Sequence, residues 1–134
     1  MHKFPIYEYK TFAELPFDKF DTFRFSVYLL DFNWNYLFVN EFVRKNLGAR
    51  ANNLVGKNMW QQFPELAADP TFGQLRERME RRVTCSFETH SPINGHRLYI
   101  TGYPLQDCFY FTSSILPDRS ELLNEIRKEL LKRK

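Results

Sequence analysis

The chain has 134 residues, 43% hydrophobic and 26% charged, with 19 Lys and Arg against 16 Asp and Glu for a net charge of +3. That is the size and balance of one globular domain, which excludes disordered and fibrous classes. No run approaches the roughly 20 apolar residues that cross a bilayer, and Met1-His2-Lys3-Phe4-Pro5 lacks a signal-peptide core, so a cytoplasmic location without a membrane partner is expected.

Along the chain, residues 1–23 are aromatic and punctuated by Pro, and Phe12, Leu15 and Phe20 mark one or two helical turns. They read as a cap segment lying on a body that spans 24–117. Residues 25–30 and 36–39 are rich in aromatic and aliphatic side chains, with turn formers at Asp31, Asn33 and Asn35 between them, the pattern of a β-hairpin. Asn40 offers an N-cap for a short helix carrying Phe42, Val43 and Leu47, and Gly48 stops it. Residues 52–66 hold Leu54, Val55, Met59, Trp60 and Phe63, broken by Gly56 and Pro64, which predicts two short helical turns. Thr71 then caps a longer helix over 72–82 with Phe72, Leu75 and Met79 on one face.

From Val83 the period changes to two: Val83, Cys85 and Phe87 alternate with Thr84, Ser86 and Glu88, as in a half-buried antiparallel strand. After a turn at 92–95, residues 96–104 place Leu98, Ile100 and Gly102 on one face and Tyr99 and Tyr103 on the other. Residues 108–115 form a last strand, and Asp118 or Ser120 caps an amphipathic helix within 118–134. The sum is an α+β domain with a five-stranded antiparallel sheet, short helices over one face, an N-terminal cap and a C-terminal helix.

The basic residues alternate with acids, as in Arg76-Glu77-Arg78, which is a solvated helix face and not a nucleic-acid stripe. The two cysteines, Cys85 and Cys108, have neither CxxC spacing nor a nearby His along the chain, so a disulfide framework, a zinc site or any other metal site is not expected.

Residues 27–116 resemble a PAS domain. The resemblance lies in Tyr36-Leu37-Phe38-Val39-Asn40, similar to the second strand whose final Asn opens the next helix. It continues in the stretch Leu54-Val55-Gly56-Lys57-Asn58-Met59-Trp60-Gln61-Gln62-Phe63-Pro64, and in 97–105, a strand closing in Tyr-Pro-Leu. The sequence departs at Ser114-Ile115-Leu116, where many relatives carry Asp-Ile-Thr. The resemblance implies a sensor or interaction module with a pocket between sheet and helices, and signals leaving through the flanking helices.

Blue-light flavin members carry a thiol in a Gly-x-Asn-Cys-Arg-Phe motif. The matching position here is Met59, whose thioether cannot form the adduct. Haem-binding members use a His on the long helix, and 72–82 has none, the histidines being His2, His90 and His96. What remains is an unknown small molecule held non-covalently, or no cofactor. Its pocket lining would be Leu54, Val55, Met59, Trp60, Phe63, Phe72, Leu75, Met79, Leu98 and Ile100, residues that would serve equally as plain core. A buried Trp60 indole N–H would need an acceptor.

Tyr99, Tyr103, Phe109 and Phe111 are expected to form an aromatic outer face of the sheet, covered either by the N-terminal stretch with Phe12, Phe17 and Phe20 or, as preferred here, by a second copy in a homodimer. Leu123, Ile126 and Leu130 have coiled-coil spacing, and if the chain is complete its output passes to a signalling protein partner. The competing expectation is a cone-shaped isomerase or cyclase with a buried carboxylate base. Asp31 and Asp107 in turns and Glu88 out of phase are poor candidates for that base, so the chain is not expected to be an enzyme.

Overall fold

A computed structural model of the protein describes residues 9–117 and 119–132. Five strands, β1 (Ser26–Leu30), β2 (Tyr36–Val39), β3 (Cys85–His90), β4 (Arg97–Pro104) and β5 (Phe109–Ile115), pair antiparallel in the order β2-β1-β5-β4-β3. Between β2 and β3 the chain makes α2 (Glu41–Leu47), α3 (Met59–Gln62), α4 (Pro64–Ala67) and α5 (Pro70–Glu80). Their apolar residues, among them Val43, Met59, Phe63, Leu66, Phe72 and Met79, share one buried cluster with Tyr36, Ile100, Phe109 and Phe111 of the sheet. The α+β architecture expected from the sequence is the one observed.

Local chemistry sets the helix boundaries. Asn40 and Asn58 cap α2 and α3, accepting hydrogen bonds from Val43 N and from Trp60 N and Gln61 N. The long helix is capped by Asp69, which accepts from Phe72 N, and not by Thr71. Pro70 occupies the first turn, where its fixed φ suits the helix and its missing N–H is not needed. The same helix ends earlier than its apolar pattern suggests. Arg82 takes a left-handed φ of 62°, while Arg82 N donates to Met79 O and Val83 N to Arg78 O, closing a Schellman-type stop. Val83 is thereby left exposed, and β3 starts at Cys85.

The sheet's outer face around β2, β1 and β5 is covered by the chain's own N-terminal segment. A single 3₁₀ turn (Phe12–Glu14) and α1 (Phe17–Phe20) pack Leu15 and Phe20 against Val27, Leu29, Cys108 and Tyr110. Phe20 lies 5.9 Å from Phe38 and 5.7 Å from Tyr110 between ring centroids. Backbone and side-chain bonds pin the segment: Gln106 N donates to Lys10 O, and Asp107 accepts from Phe12 N. Residues 1–8 of the expected cap lie outside the described residues.

The free edge of β2 is closed by the loop before α3, since Gly56 N donates to Tyr36 O, Tyr36 N to Lys57 O, and Met59 N to Trp34 O. On β4, Gly102 is required by close approach. A Cβ there would stand 2.8 Å from both Met79 Sδ and Phe111 Cε1. The C-terminal helix α6 (Arg119–Lys132) exposes Leu122, Leu123, Ile126, Leu130 and Leu131. Its expected caps, Asp118 and the Ser120 side chain, fall outside the described residues.

Asn40 joins these parts. Its Oδ1 accepts from Val27 N (3.1 Å) and Val43 N (3.2 Å), and its Nδ2 donates to Phe20 O (2.8 Å) and Phe25 O (3.0 Å). Asn40→Ala removes partners from four backbone groups, and at about 1–3 kcal/mol for each orphaned buried group the loss of stability is expected to reach about 3 kcal/mol or more in urea denaturation. Asn40→Asp retains both acceptors but sets carboxylate oxygen against two carbonyls, so it too is expected to destabilise. A wild-type midpoint in either variant would count against the role given to this amide.

Candidate functional site

Alternation along the strands decides which side chains face the helices. On β1, Ser26, Tyr28 and Leu30 point inward. On β5, Ser113, Phe111 and Phe109 do so, with Ser26 opposite Ser113 and Tyr28 opposite Phe111. On β4 the inward set is Leu98, Ile100 and Gly102. Where the paired positions are Tyr28 and Phe111, the interior fills: their rings stack with centroids 5.2 Å apart, and Trp34 of the β1–β2 turn lies 4.8 Å from Phe109 beside them. Where they are two serines, it does not.

A cavity of about 80 Å³ lies beside Ser26 and Ser113. By that measure a water needs about 10–15 Å³, so the space suits several waters or a small organic molecule. The sheet side contributes Tyr28, Tyr36, Leu98 and Ile100, and the helix side Val43, Met59, Phe63, Leu66 and Phe72. Asn46 and Leu47 at the end of α2, with Ser91, Ile93 and Asn94 of the β3–β4 turn, complete it.

The polar groups at this cavity are neutral. Burial pushes the Tyr28 and Tyr36 phenols well above their ordinary value, and for Tyr36 the neighbouring Tyr28 adds to the effect. The hydroxyls of Ser26, Tyr28, Tyr36 and Ser113 form no hydrogen bond with any described residue, and none is sealed from open space. Ser91 Oγ, by contrast, accepts from Ile93 N.

Of the residues expected to line a pocket, Met59, Phe63, Phe72, Leu98 and Ile100 border this cavity. Leu54, Trp60, Leu75 and Met79 are buried in the surrounding core, and Val55 is 61% exposed because the loop that closes the β2 edge turns it outward. Trp60 Nε1 is buried without a hydrogen-bond partner among the described residues, and Arg76 lies 5.0 Å over the indole ring. The other indole is satisfied, with Trp34 Nε1 donating to Glu80 Oε2 at 3.1 Å.

The expected interaction face is corrected at three residues. Phe109 and Phe111 are fully buried on the inner side, one residue out of phase with the expectation, and Phe20 is fully buried beneath the outer surface. Phe12 and Tyr103 pack half-buried with the cap, and Tyr99 is half-buried opposite Ser114 on β5. Sequence reasoning missed Tyr28, Tyr36, Ser26 and Ser113. The signal available was an inward-facing serine on each of two strands otherwise built from large apolar residues.

Neither cysteine borders the cavity. Both are buried and free, and burial, reinforced by the neighbouring Asp107, pushes the Cys108 thiol up to about 12. Among the described residues there is no group of three or more His, Cys, Asp and Glu side chains able to hold a metal ion, and no helix long and apolar enough to cross a membrane.

No family model and no curated protein matches the chain. Among solved structures it is similar to the PAS domain of BvgS from Bordetella pertussis, with a TM-score of 0.63 at 16% identity over 90% of this chain and 97% of that one. It is similar to the photoactive yellow protein domain of the sensor histidine kinase Ppr from Rhodospirillum centenum, with a TM-score of 0.61 at 14% identity over 76% and 94%. The PAS domain of the quorum-sensing receptor RpfR from Cronobacter turicensis, solved in complex with BDSF, gives 0.55 at 10% identity over 71% and 96%. The fold is that of a PAS domain.

The buried phenols make stability depend on alkaline pH. Tyr28, Tyr36 and Tyr110 have raised values from burial, so above about pH 10 the unfolded chain releases protons that the folded chain keeps. Stability is expected to fall as pH rises past that point, by about 1.4 kcal/mol per pH unit for each phenol still protonated in the folded state. Urea midpoints followed from neutral to strongly alkaline pH check this, and a midpoint flat through pH 11 would contradict it.

Proposed function

We propose that this chain is a PAS-type sensor and interaction module, taking a small ligand without a covalent bond in the cavity between sheet and helices and passing its state to a protein through α6. The observation that carries this reading is the cavity itself, an apolar space bordered by four hydroxyls free of hydrogen-bond partners among the described residues. Unpaired hydroxyls at a cavity gain bonds when an acceptor arrives, which is how a pocket orients a ligand. The structural neighbours with sensory roles, BvgS aside, include the RpfR domain solved with BDSF, and they support a sensing reading for this fold.

General-base catalysis is the less supported reading, because none of the described residues lining the cavity is a carboxylic acid. A flavin photoadduct lacks its thiol, since the residue at the wall is Met59.

For output, the outer face near β1 is already taken by the cap, which moves the proposed dimer contact from the sheet to α6. Leu123, Ile126 and Leu130 are 55%, 56% and 59% exposed and follow the 3–4 spacing of a seam, a pattern that suits the same helix of a second copy. Two turns of seam are weak alone, so association is expected to be concentration-dependent.

Native mass spectrometry of the protein purified from its own host tests the ligand reading. A defined extra mass is expected, lost in Ser113→Leu, whose side chain fills the cavity, while circular dichroism stays unchanged. A bare chain in both proteins would overturn it. For the partner, sedimentation velocity is expected to find a monomer–dimer equilibrium that shifts to monomer by about tenfold or more in Ile126→Glu. An unaltered equilibrium would remove α6 from the contact.

A further inference from the structure

The cavity is chemically one-sided. The described residues around it are apolar or neutral and polar, with no Asp, Glu, Lys, Arg or His among them. Charged groups that touch the surrounding core are engaged elsewhere: Glu80 with Trp34 and Arg76, Arg50 with Glu65 and over the Phe63 ring, and Arg82 over the rings of Phe32 and Phe109. An ionised ligand entering this space would leave water without meeting an opposite charge, and an unpaired buried charge is strongly disfavoured. A neutral ligand loses only hydrogen bonds to water, and the hydroxyls can restore them.

The hydroxyls also say which atom they would meet. Tyr28 and Tyr36 keep their protons to strongly alkaline pH, so each remains a donor at neutral pH. Their rings are braced, Tyr28 by stacking on Phe111 at 5.2 Å and Tyr36 edge-on to Phe63 at 6.4 Å, with the two phenol rings 6.4 Å apart. Ser26 and Ser113, directly opposite each other in the β1–β5 register, add two further hydroxyls on the same side of the cavity. Phe63, Phe72 and Ile100 add apolar surface, and Asn46, Ser91 and Asn94 complete the lining with neutral polar groups.

Resting on the ligand-binding reading above, we propose that the ligand is an uncharged small molecule with an apolar body and an acceptor oxygen, such as a ketone or an alcohol, whose oxygen is held by the Tyr28 and Tyr36 hydroxyls. Selection against charge follows from the lining. A carboxylate of the same shape offers better acceptors but brings a charge that nothing at the cavity neutralises. Both tyrosines are binding residues in this proposal, and neither is required for the fold through its hydroxyl, since neither hydroxyl has a partner among the described residues.

The test uses two probes of matched shape, acetophenone and benzoate, titrated into the full chain at neutral pH and followed by protein NMR chemical shifts. Acetophenone is expected to shift resonances around Ser26, Tyr36 and Ser113 with saturation, and benzoate to bind at least tenfold more weakly. Tyr28→Phe and Tyr36→Phe are each expected to keep the wild-type melting temperature within a few degrees and to weaken acetophenone by about fivefold or more. Benzoate binding as tightly as acetophenone at these residues would overturn the charge selection while leaving a ligand pocket in place. Unchanged acetophenone affinity in both phenylalanine variants would remove the tyrosines as readers of the oxygen. Saturable binding of neither probe, with the cavity-filling Ser113→Leu chain also carrying no less host-derived mass than wild type, would sink this inference together with the pocket on which it rests.

Discussion

Four backbone groups from different parts of the chain meet on the side-chain amide of Asn40, and the arrangement of both sheet faces follows from that meeting. The amide's oxygen fixes the start of α2 and the N–H of Val27 on β1, while its nitrogen holds the carbonyls of Phe20 and Phe25. One fully buried residue thus ties α2, β1 and the outer-face cap into a single polar knot. A buried amide can offer two donors and two acceptor sites, and here each is used, so the knot is satisfied and specifies its partners. Asp21 extends it outward, accepting from Glu41 N and from the Arg44 guanidinium, which also donates to Val39 O.

Because that knot draws the cap across the sheet, β1 and β5 are buried on both faces, and this explains where the sequence could be read and where it could not. The Asn40 cap, the hairpin, the Gly48 stop and the succession of strands and helices along the chain were legible, since each rests on local chemistry: an Asn before an amphipathic run, turn formers between apolar runs, a change of period at the third strand. The faces of the last strand were not. Cys108, Phe109, Tyr110 and Phe111 are all fully buried, half against the helices and half against the cap, so no polar alternation marks the inner side. Only long-range pairing, Gly102 opposite Phe111 across β4 and β5, decides the phase. The start of the long helix was misplaced for a local reason, Asp69 and Thr71 both being competent caps, and Pro70 settles the choice in favour of the residue before it.

The cavity was legible only in part for a related reason. Large apolar residues announce an interior, and those expected at the pocket are, Val55 apart, in that interior. What opens a space within it is the absence of bulk, and absence carries little pattern. Two serines that meet across β1 and β5 leave a gap beside the Tyr28–Phe111 stack, while one strand over, Gly102 has its space taken by Met79 and Phe111. Small residues therefore have opposite consequences on the same sheet face, and the side chain opposite each decides which applies.

This contrast bears on why the cavity persists. Interiors are packed close to crystal density, and a hole among apolar groups forfeits dispersion contacts. Replacing Ser113 with a larger aliphatic residue would recover those contacts and satisfy no fewer hydrogen bonds, because the serine hydroxyl has no partner among the described residues. Packing alone thus gives the fold no reason to hold two serines and two partnerless phenols around one gap. The proposed ligand, filling the gap and accepting from the hydroxyls, would supply that reason, returning contacts and hydrogen bonds in one binding event and stabilising the folded chain by mass action.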